Sequence, residues 1–289
     1  KTAAAMSFAK PEILAIPEKR LQELMDEEPK LKKYERCLQE ILRAKPHTLS
    51  EAEEKLVAMA GEALSGAENT FSMLNNADIK FPTIRDVEGN RIPLTNGNFV
   101  VLEKNKDRSL RKQAFEGLYH TYEKLGNTIA SIYLNQVNAN EFYATAAKYP
   151  SARAMFLDEG NIPEQVYDSL IEAVHAHLPA VHRYVGLRKK LLGVDKLHMY
   201  DSYVPIVESV EHKYTFEEAK EIVLKALAPM GEEYIAILQE GFDNRWIDVY
   251  QNENKRTGAY SWGAYGTHPY VLLNFQGDLD SVFTLAHEM

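Results

Sequence analysis

Cysteine is nearly absent from this 289-residue chain: Cys37 stands alone, so no internal disulfide can form. No run of 18 apolar residues occurs, which leaves no candidate for a membrane-spanning helix. Basic charge is also short. With 33 Lys+Arg against 42 Asp+Glu the formal net charge is -9, whereas a nucleic-acid-binding domain normally carries a basic excess. Glycine and proline, 15 and 12 residues, are too sparse for a flexible linker or a low-complexity tract. The chain contains no Gly-rich phosphate loop and no Gly-x-Ser-x-Gly elbow, which removes the commonest nucleotide and serine-hydrolase signatures. It has no Asn-x-Ser/Thr sequon and opens on no secretory signal pattern. Together with the lone Cys37, read as a small packed or half-exposed helix residue, these absences point to a reducing cytoplasm.

What is present is mostly helix. The composition, 45% hydrophobic and 26% charged, is that of a globular chain long enough to bury a core. Leu21, Leu24 and Met25, then Leu31, Tyr34, Leu38, Ile41 and Leu42, keep helical spacing on both sides of Pro29. That proline suits the first turn of a second helix, where its missing N–H costs nothing. Ser50 and Glu53 form a capping box ahead of Leu56, Met59, Ala60, Ala63 and Leu64. Phe115, Leu118, Tyr122, Leu125, Ile129 and Ile132 mark helix between about 109 and 148. Pro163 opens another helix running toward Gly193. Thr215 and Glu218 form a second capping box before the amphipathic stripe Ala219, Ile222, Val223, Ala226, Leu227 and Met230.

Two stretches break the helical pattern. In "FPTIRDVEGNRIPLTNGNFVVLEK", Glu88-Gly89-Asn90 and Thr95-Asn96-Gly97-Asn98 are turn signals between short β-prone runs, so a small hairpin or a pair of hairpins is expected. A boundary near residue 105 follows, giving a helical segment 1–105 that ends in the hairpin and a second domain over 106–289. Near the other end, "GAYSWGAYGTHPYVLLNFQGD" carries four glycines and a doubled Gly-Ala-Tyr at 258–260 and 263–265. The apolar run Tyr270 to Phe275, bounded by Pro269 and Gly277, reads as a buried strand. Asp278 or Asp280 would then cap a last helix.

That helix ends in "FTLAHEM". Val282, Phe283, Ala286 and Met289 fall at i, i+1, i+4 and i+7, and no Gly, Asn or basic last turn closes the helix. A His-Glu pair precedes Met289. The expectation is a chain severed inside an active-site helix, with a start at "KTAAAMSFAK" that is also cut. A His-Glu dipeptide alone is worth little in a chain with 9 His and 42 Asp+Glu. On an apolar helix, however, His-Glu-x-x-His puts two imidazoles on one face where both reach one zinc ion, with the Glu able to take a proton from water. His287 and Glu288 supply the first half, and the second His would stand two positions past Met289.

The surrounding sequence makes that half-motif specific. "NRWIDVYQNENKRTGAYSWGAYGTHPYVLLNFQGDLDSVFTLAHEM" closely resembles the approach to the zinc helix in the oligoendopeptidase F branch of the thimet-oligopeptidase-like zinc metallopeptidases. "HMYDSYVPIV", "KYTFEEAKEIVLKAL", "NIPEQVYDSLIEAVHAHLP" and "YERCLQEILRAKPHTLSEAEEKL" look like the same family, so the resemblance covers nearly the whole chain. It implies a mainly α fold of multi-helical zincin-type lobes with small β-hairpin elements, and residues 106–289 as the N-terminal part of the catalytic domain. It implies a Zn2+ cofactor with His287 as a ligand, Glu288 as the general base, and Met289 at a variable motif position. The family's other zinc ligands and oxyanion-stabilising residues have no counterpart here, so the 289 residues alone are expected to be inactive. The substrates implied are oligopeptides cut at internal bonds, bound as an extended strand beside a sheet edge. Strand 270–275 and the glycines before it suit such an approach, which makes Tyr265 and His268 substrate-contact candidates. The alternative for those residues is a hairpin with tyrosines packed at its rim.

Two rival functions stay open at this point: a dipeptidyl carboxypeptidase of the same superfamily, and a non-catalytic helical peptide-binding protein. Neither nucleic acid nor membrane is an expected partner. His175, His177 and His182 do not share one helical face and read as surface residues. "LRKKLL" at 187–192 and "MDEEPK" at 25–30 read as solvated charge.

Overall fold

Side-chain caps mark several of the helix starts, among them those of the helices at Glu51, Asn96, Phe216 and Leu279. The structure, a computed structural model, describes residues 2–207, 212–252 and 254–289. Lys1 and Glu253, both inside stretches quoted above, lie outside the described residues. In chain order the elements are helices α1 (Thr2–Met6), α2 (Ala9–Ala15), α3 (Glu18–Glu27), α4 (Glu35–Arg43), α5 (Glu51–Leu64) and α6 (Gly66–Met73). Strands β1 (Thr83–Arg85) and β2 (Arg91–Pro93) follow, then α7 (Asn96–Glu103), α8 (Arg108–Lys124), α9 (Gly126–Ala146), α10 (Ala152–Glu159) and α11 (Glu164–Leu191). The remainder is α12 (Phe216–Ala226), α13 (Glu232–Asp243), β3 (Ile247–Asp248), β4 (Tyr260–Trp262), β5 (Tyr270–Leu272) and α14 (Leu279–Glu288). The expected capping boxes at Ser50–Glu53 and Thr215–Glu218 both form. Pro29 opens a 3₁₀ turn, Pro29–Tyr34, and the α-helix expected there starts only at Glu35.

One expectation about the β elements needs correction. Of the two hairpins considered, only β1–β2 exists, antiparallel with Thr83 opposite Pro93 and Arg85 opposite Arg91. Its turn uses Gly89 at φ 85°, a left-handed conformation that suits glycine. The Thr95-Asn96-Gly97-Asn98 signal is not a second hairpin turn but the start of α7. Thr95 Oγ1 accepts from the Asn98 N–H at 3.1 Å, and the Asn98 side chain accepts from the Thr95 N–H at 2.8 Å. Asn and Thr serve helix caps as readily as turns, because in both places a short side chain accepts from a backbone N–H.

The chain divides into two compact units that are not consecutive in sequence. Unit 1 joins 1–72 to 126–182, and unit 2 joins 73–125 to 183–289, so the expected boundary at 105 falls within unit 2, between α7 and α8. Unit 1 is all helix among the described residues. Unit 2 holds both sheets and both apolar clusters. In one cluster Ile84 and Leu94 meet Leu102 of α7 and Leu110, Ala114 and Leu118 of α8. In the other, Ala219 and Val223 of α12 meet Val271, Leu273 and Phe275 around β5 and Val282 and Leu285 of α14.

The segment 270–275 alternates. Val271, Leu273 and Phe275 are buried, Tyr270 is exposed, and Leu272 and Asn274 are half-buried. It is a half-buried strand with one face on the core, where a fully buried one was expected, and period-2 geometry explains the pattern.

Candidate active site

Helix α14 carries the His-Glu pair, and its start is tied down at several points. Asp278 is the cap, its side chain accepting from the Ser281 N–H at 2.9 Å and from Ser281 Oγ at 2.7 Å. Just before it, Gly277 sits at φ 72°, and a Cβ there would come within 2.9 Å of the Tyr214 carbonyl oxygen. Lys104 Nζ reaches Asp280 Oδ2 at 2.5 Å and Asp278 Oδ2 at 3.4 Å. Desolvation pushes the Asp278 carboxyl up, but the bonds from Ser281 and the charge of Lys104 outweigh it and hold it below the usual carboxylate range. A carboxylate at this end also meets the positive end of the helix dipole.

The buried residues of α14 are Val282 and Leu285, with Leu285 fully enclosed, and the half-buried Ala286 and Met289 pack against the same cluster. Phe283, expected alongside them, is instead 67% exposed. His287 lies four residues on, hence on the same face as Phe283, and is exposed too. Glu288 is half-buried. Neither His287 nor Glu288 is hydrogen-bonded or ion-paired to a described side chain.

The three-stranded sheet runs in the order β3-β5-β4. Strand β5 pairs parallel with β3 (Ile247 opposite Val271) and antiparallel with β4 (Trp262 opposite Tyr270). Because β5 is central, it cannot offer an edge over 270–272; the outer strands are β3 and β4, and of these β4 is the more exposed, with Tyr260, Ser261 and Trp262 all open to solvent. The β4–β5 connection closes through Thr267, whose N–H donates to the Ala264 carbonyl at 3.1 Å and whose Oγ1 donates to the same oxygen at 2.9 Å. Gly266 supplies φ 84° in that turn. Tyr265 stands at the tip, fully exposed, while His268 lies flat on Trp246 with ring centroids 4.7 Å apart at 5°.

Comparison with known proteins decides the family. The model of peptidase family M3 matches residues 101–289, and that of the oligopeptidase F N-terminal part matches 12–81. The chain belongs to peptidase family M3. Among curated relatives, oligopeptidase PepF of Bacillus subtilis is 49% identical across all of this M3 chain and 43% of its own length. Group B oligopeptidase PepB of Streptococcus agalactiae is 42% identical over 100% of this chain and 48% of its own. The M3 chain thus spans less than half the length of these relatives. The crystal structure of oligoendopeptidase-F from Enterococcus faecium, 42% identical, superposes with a TM-score of 0.70 over 84% of this chain and 46% of that one. PZ peptidase A, only 17% identical, shares the fold at a TM-score of 0.75 over 99% of this chain and 49% of its own. The mainly helical fold with small sheets is that of the M3 peptidases.

Within the M3 chain the predicted site residues fall into separate places. His287 and Glu288 are adjacent on α14, whereas Tyr265 is fully exposed at the tip of the β4–β5 connection and His268 rests on Trp246. The link the sequence reading missed runs through Trp246 and Gly241. A Cβ on Gly241 would lie 2.9 Å from both the Met289 methyl and the Trp246 ring, so the absence of that carbon lets both side chains seat on α13. The Tyr234 hydroxyl donates to the Met289 carbonyl oxygen at 3.0 Å, fixing the same end of α14. A tryptophan alone in "NRWIDV" gives no periodic signal that would have marked it. For metal, the donor set is one exposed imidazole: among the described residues no three His, Cys, Asp or Glu side chains group to hold an ion. Catalytic zinc takes three protein ligands, so these side chains fall short of fitting it by themselves.

A second cluster also escaped the sequence reading. Asp201, fully buried, accepts from Arg108 Nε at 3.1 Å and NH2 at 2.9 Å, from Arg111 NH2 at 2.8 Å and from the His198 N–H at 2.9 Å. Desolvation pushes its carboxyl up, but the bonds from Arg108 and Arg111 outweigh this and hold it far below the carboxylate range. Arg188 NH2 donates to the Asp201 and Val204 carbonyls at 2.8 and 2.6 Å. The only sequence trace is Arg108 and Arg111 three apart at a helix start, which reads as surface charge.

Proposed function

We propose that the whole protein carrying this chain is a zinc-dependent endopeptidase that hydrolyses internal bonds of oligopeptides. His287 is one metal ligand and Glu288 the general base. Zinc, when bound, supplies Lewis-acid polarisation of the scissile carbonyl. Glu288 takes the proton of the attacking water and passes it to the amine that leaves as the C–N bond breaks. Residues 106–289 form the N-terminal part of the catalytic domain and 1–105 a segment of the preceding lobe, a division supported by the separate matches at 101–289 and 12–81. The setting is cytoplasmic, a proposal supported by Cys37, an exposed free thiol that a reducing compartment keeps in that state.

The observation that carries the reading is the placement of His287 and Glu288. They stand at the end of a firmly capped helix, within the span matching the M3 family, an exposed imidazole beside a half-buried carboxylate with no partner among the described residues. The open edge of β4 in the same unit suits an extended peptide, which would pair with it through backbone hydrogen bonds.

Two substitutions in the whole protein test this. Glu288→Gln keeps size and is expected to leave zinc content unchanged while kcat falls by at least about 10²–10⁴-fold, the range for a lost general base. His287→Ala is expected to lose zinc and activity together. A Glu288→Gln enzyme with zinc bound and more than about a tenth of the wild-type kcat, well outside that range, would refute the assignment. Mapping cleavage on a C-terminally blocked peptide separates this activity from a dipeptidyl carboxypeptidase, which needs the free terminus.

A further inference from the structure

His268 ends the β4–β5 connection, and its surroundings fix more than its position. Nδ1 lies 2.7 Å from the carbonyl oxygen of Pro269. A carbonyl can only accept, so the proton of the neutral ring must sit on Nδ1, and Nε2 is left with a lone pair. Nε2 has no protein partner among the described residues, and the side chain is exposed. The ring is held by two others: Trp246 is stacked 4.7 Å away at 5°, and Tyr270 is tilted at 45° with its centroid 4.5 Å away.

Trp246 is itself fixed on all sides that matter. It is 8% exposed, and its carbonyl accepts from the Val271 N–H at 2.8 Å, which ties it to β5 one residue from Tyr270. Its indole lies over Gly241, where a Cβ would approach Cε3 to 2.9 Å. The indole therefore cannot follow an exposed histidine about; the histidine must conform to the indole.

We infer that Trp246 is a positioning residue that clamps His268 as its Nδ1–H tautomer, so that Nε2 is presented as a fixed acceptor for a backbone N–H of a bound peptide. The placement fits an extended ligand. His268 stands two residues before Tyr270, just outside β5, with its ring against the Tyr270 ring, and Tyr270 is opposite Trp262 of β4, whose outer edge is unpaired among the described residues. The β4–β5 ladder ends at that pair, and the side-chain acceptor stands just past its end. A peptide supplies N–H groups at every other residue along one edge, which is the group this acceptor matches. The identity of the ligand rests on the peptidase reading; the tautomer and its cause do not.

The test uses the whole protein carrying this chain, labelled with ¹⁵N-histidine. Two-bond ¹H–¹⁵N spectra at pH 8 are expected to show His268 as the Nδ1–H tautomer in the wild type and in Trp246→Phe, which keeps a ring to stack on. Trp246→Leu is expected to show a mixture of tautomers. Binding of a terminally blocked oligopeptide, measured calorimetrically with chelator present to prevent cleavage, is expected to weaken about three- to ten-fold in Trp246→Leu and His268→Ala, the worth of one neutral hydrogen bond, and to be retained in Trp246→Phe. If Trp246→Leu does not fold, the wild-type spectrum and His268→Ala decide alone. A wild type that binds peptide but holds His268 as the other tautomer, or a folded Trp246→Leu that keeps both tautomer and affinity, overturns the inference and leaves the peptidase reading intact. A wild type with the expected tautomer that binds no peptide removes the ligand and counts against the peptidase reading instead.

Discussion

Each unit contains a partly or fully buried network built around an aspartate and an arginine, and the two, at Asp158 and Asp201, differ mainly in water. In unit 1, Asp158 accepts from Arg43 and from the Tyr149 hydroxyl at 2.6 Å, while Tyr149 stacks on His47 at 3.5 Å. The Arg43 and Asp158 side chains keep 27% and 30% of their exposure. Partial burial, with the bond to Asp158, pushes the Tyr149 hydroxyl up to about 12. In unit 2, Asp201 and Arg111 are all but sealed from solvent, at 0% and 3%. A half-wet network tolerates imperfect pairing because water completes it. A dry one must be complete, and the four hydrogen bonds into the Asp201 carboxylate meet that demand. The apolar residues divide the same way: both core clusters belong to unit 2, whereas in unit 1 Leu56, Tyr133 and Leu170 are 67%, 71% and 63% exposed.

The sharpest test of this contrast removes one charge from each network. Asp201→Asn leaves Arg111 buried beside a neutral amide, and breaking a buried pair costs about 3–5 kcal/mol. Asp158→Asn should fall well short of that. Urea unfolding followed by tryptophan fluorescence reads the first cleanly, because Trp246 and Trp262, the chain's two tryptophans, both lie in unit 2. Far-UV CD reads the second. Equal losses would mean that burial does not separate the two networks. The low-lying Asp201 carboxyl adds a pH signature: its contribution is present above the unfolded value near 4 and lost as pH falls below it.

Next in size is the core itself. Leu285 on α14 is fully buried, and Leu285→Ala is expected to cost about 2–5 kcal/mol by transfer and cavity terms. Leu170→Ala on α11, 63% exposed, should stay within about 0.5 kcal/mol, the usual range for surface positions. A loss at Leu170 as large as at Leu285 would show that something covers the face of α11.

The helices were legible because caps and apolar periods are local. Ser50, Thr215 and Asp278 start α5, α12 and α14, as a reading of neighbouring residues alone requires. What was not legible depends on residues far apart in sequence. Phe283 and Leu285 look equally apolar, and only the position of β5 and α12 decides which one is enclosed. Asp201 meets arginines about 90 positions away, and His268 meets Trp246 across β3, β4 and the segment between them. Of the candidate site, His287 and Glu288 could be named because their chemistry is written in adjacent letters. Their supports at Gly241, Trp246 and Lys104 could not.

Glu103 offers a smaller effect with a definite sign. It ends α7, is 1% exposed, and its Oε1 has no hydrogen-bond partner. Burial pushes its carboxyl up to about 7, with Arg111 opposing and Asp201 adding to the rise. Between about 4.5 and 7 the folded state therefore holds a proton that the unfolded state has released, so stability falls as pH rises through this window and levels off above it. Glu103→Gln removes the titration. Relative to wild type, its unfolding free energy should gain with pH between 5 and 8, by an amount on the order of 2–3 kcal/mol, read by urea unfolding at each pH. No comparable window arises from the Asp158 network, whose carboxyl is held low by the Tyr149 bond and Arg43. A wild type whose stability rises from pH 5 to 7 would contradict this account of Glu103.

The smallest expected effect bears on the hairpin turn that proved to be a helix start. If Thr95 caps α7, Thr95→Ala removes the acceptor for the Asn98 N–H and should cost about 1 kcal/mol, the usual worth of a cap, while Thr95→Ser should cost little. If the stretch were instead a hairpin turn, the side chain at 95 would matter little and a residue favouring left-handed backbone would matter most. Gly97 separates the two ideas further. It has no left-handed φ, yet a Cβ there would lie 2.4 Å from Gln251 Oε1. Gln251 in turn donates from Nε2 to Thr95 Oγ1 at 3.1 Å. Gly97→Ala must therefore displace a long, exposed side chain and should cost only a few tenths of a kcal/mol, partly offset by the better helix propensity of alanine. A hairpin glycine at positive φ would lose more than that on substitution. A cost at Thr95→Ala larger than at Gly97→Ala, read by urea unfolding in unit 2, is the order that a capped helix requires. The reverse order would return the stretch to a turn.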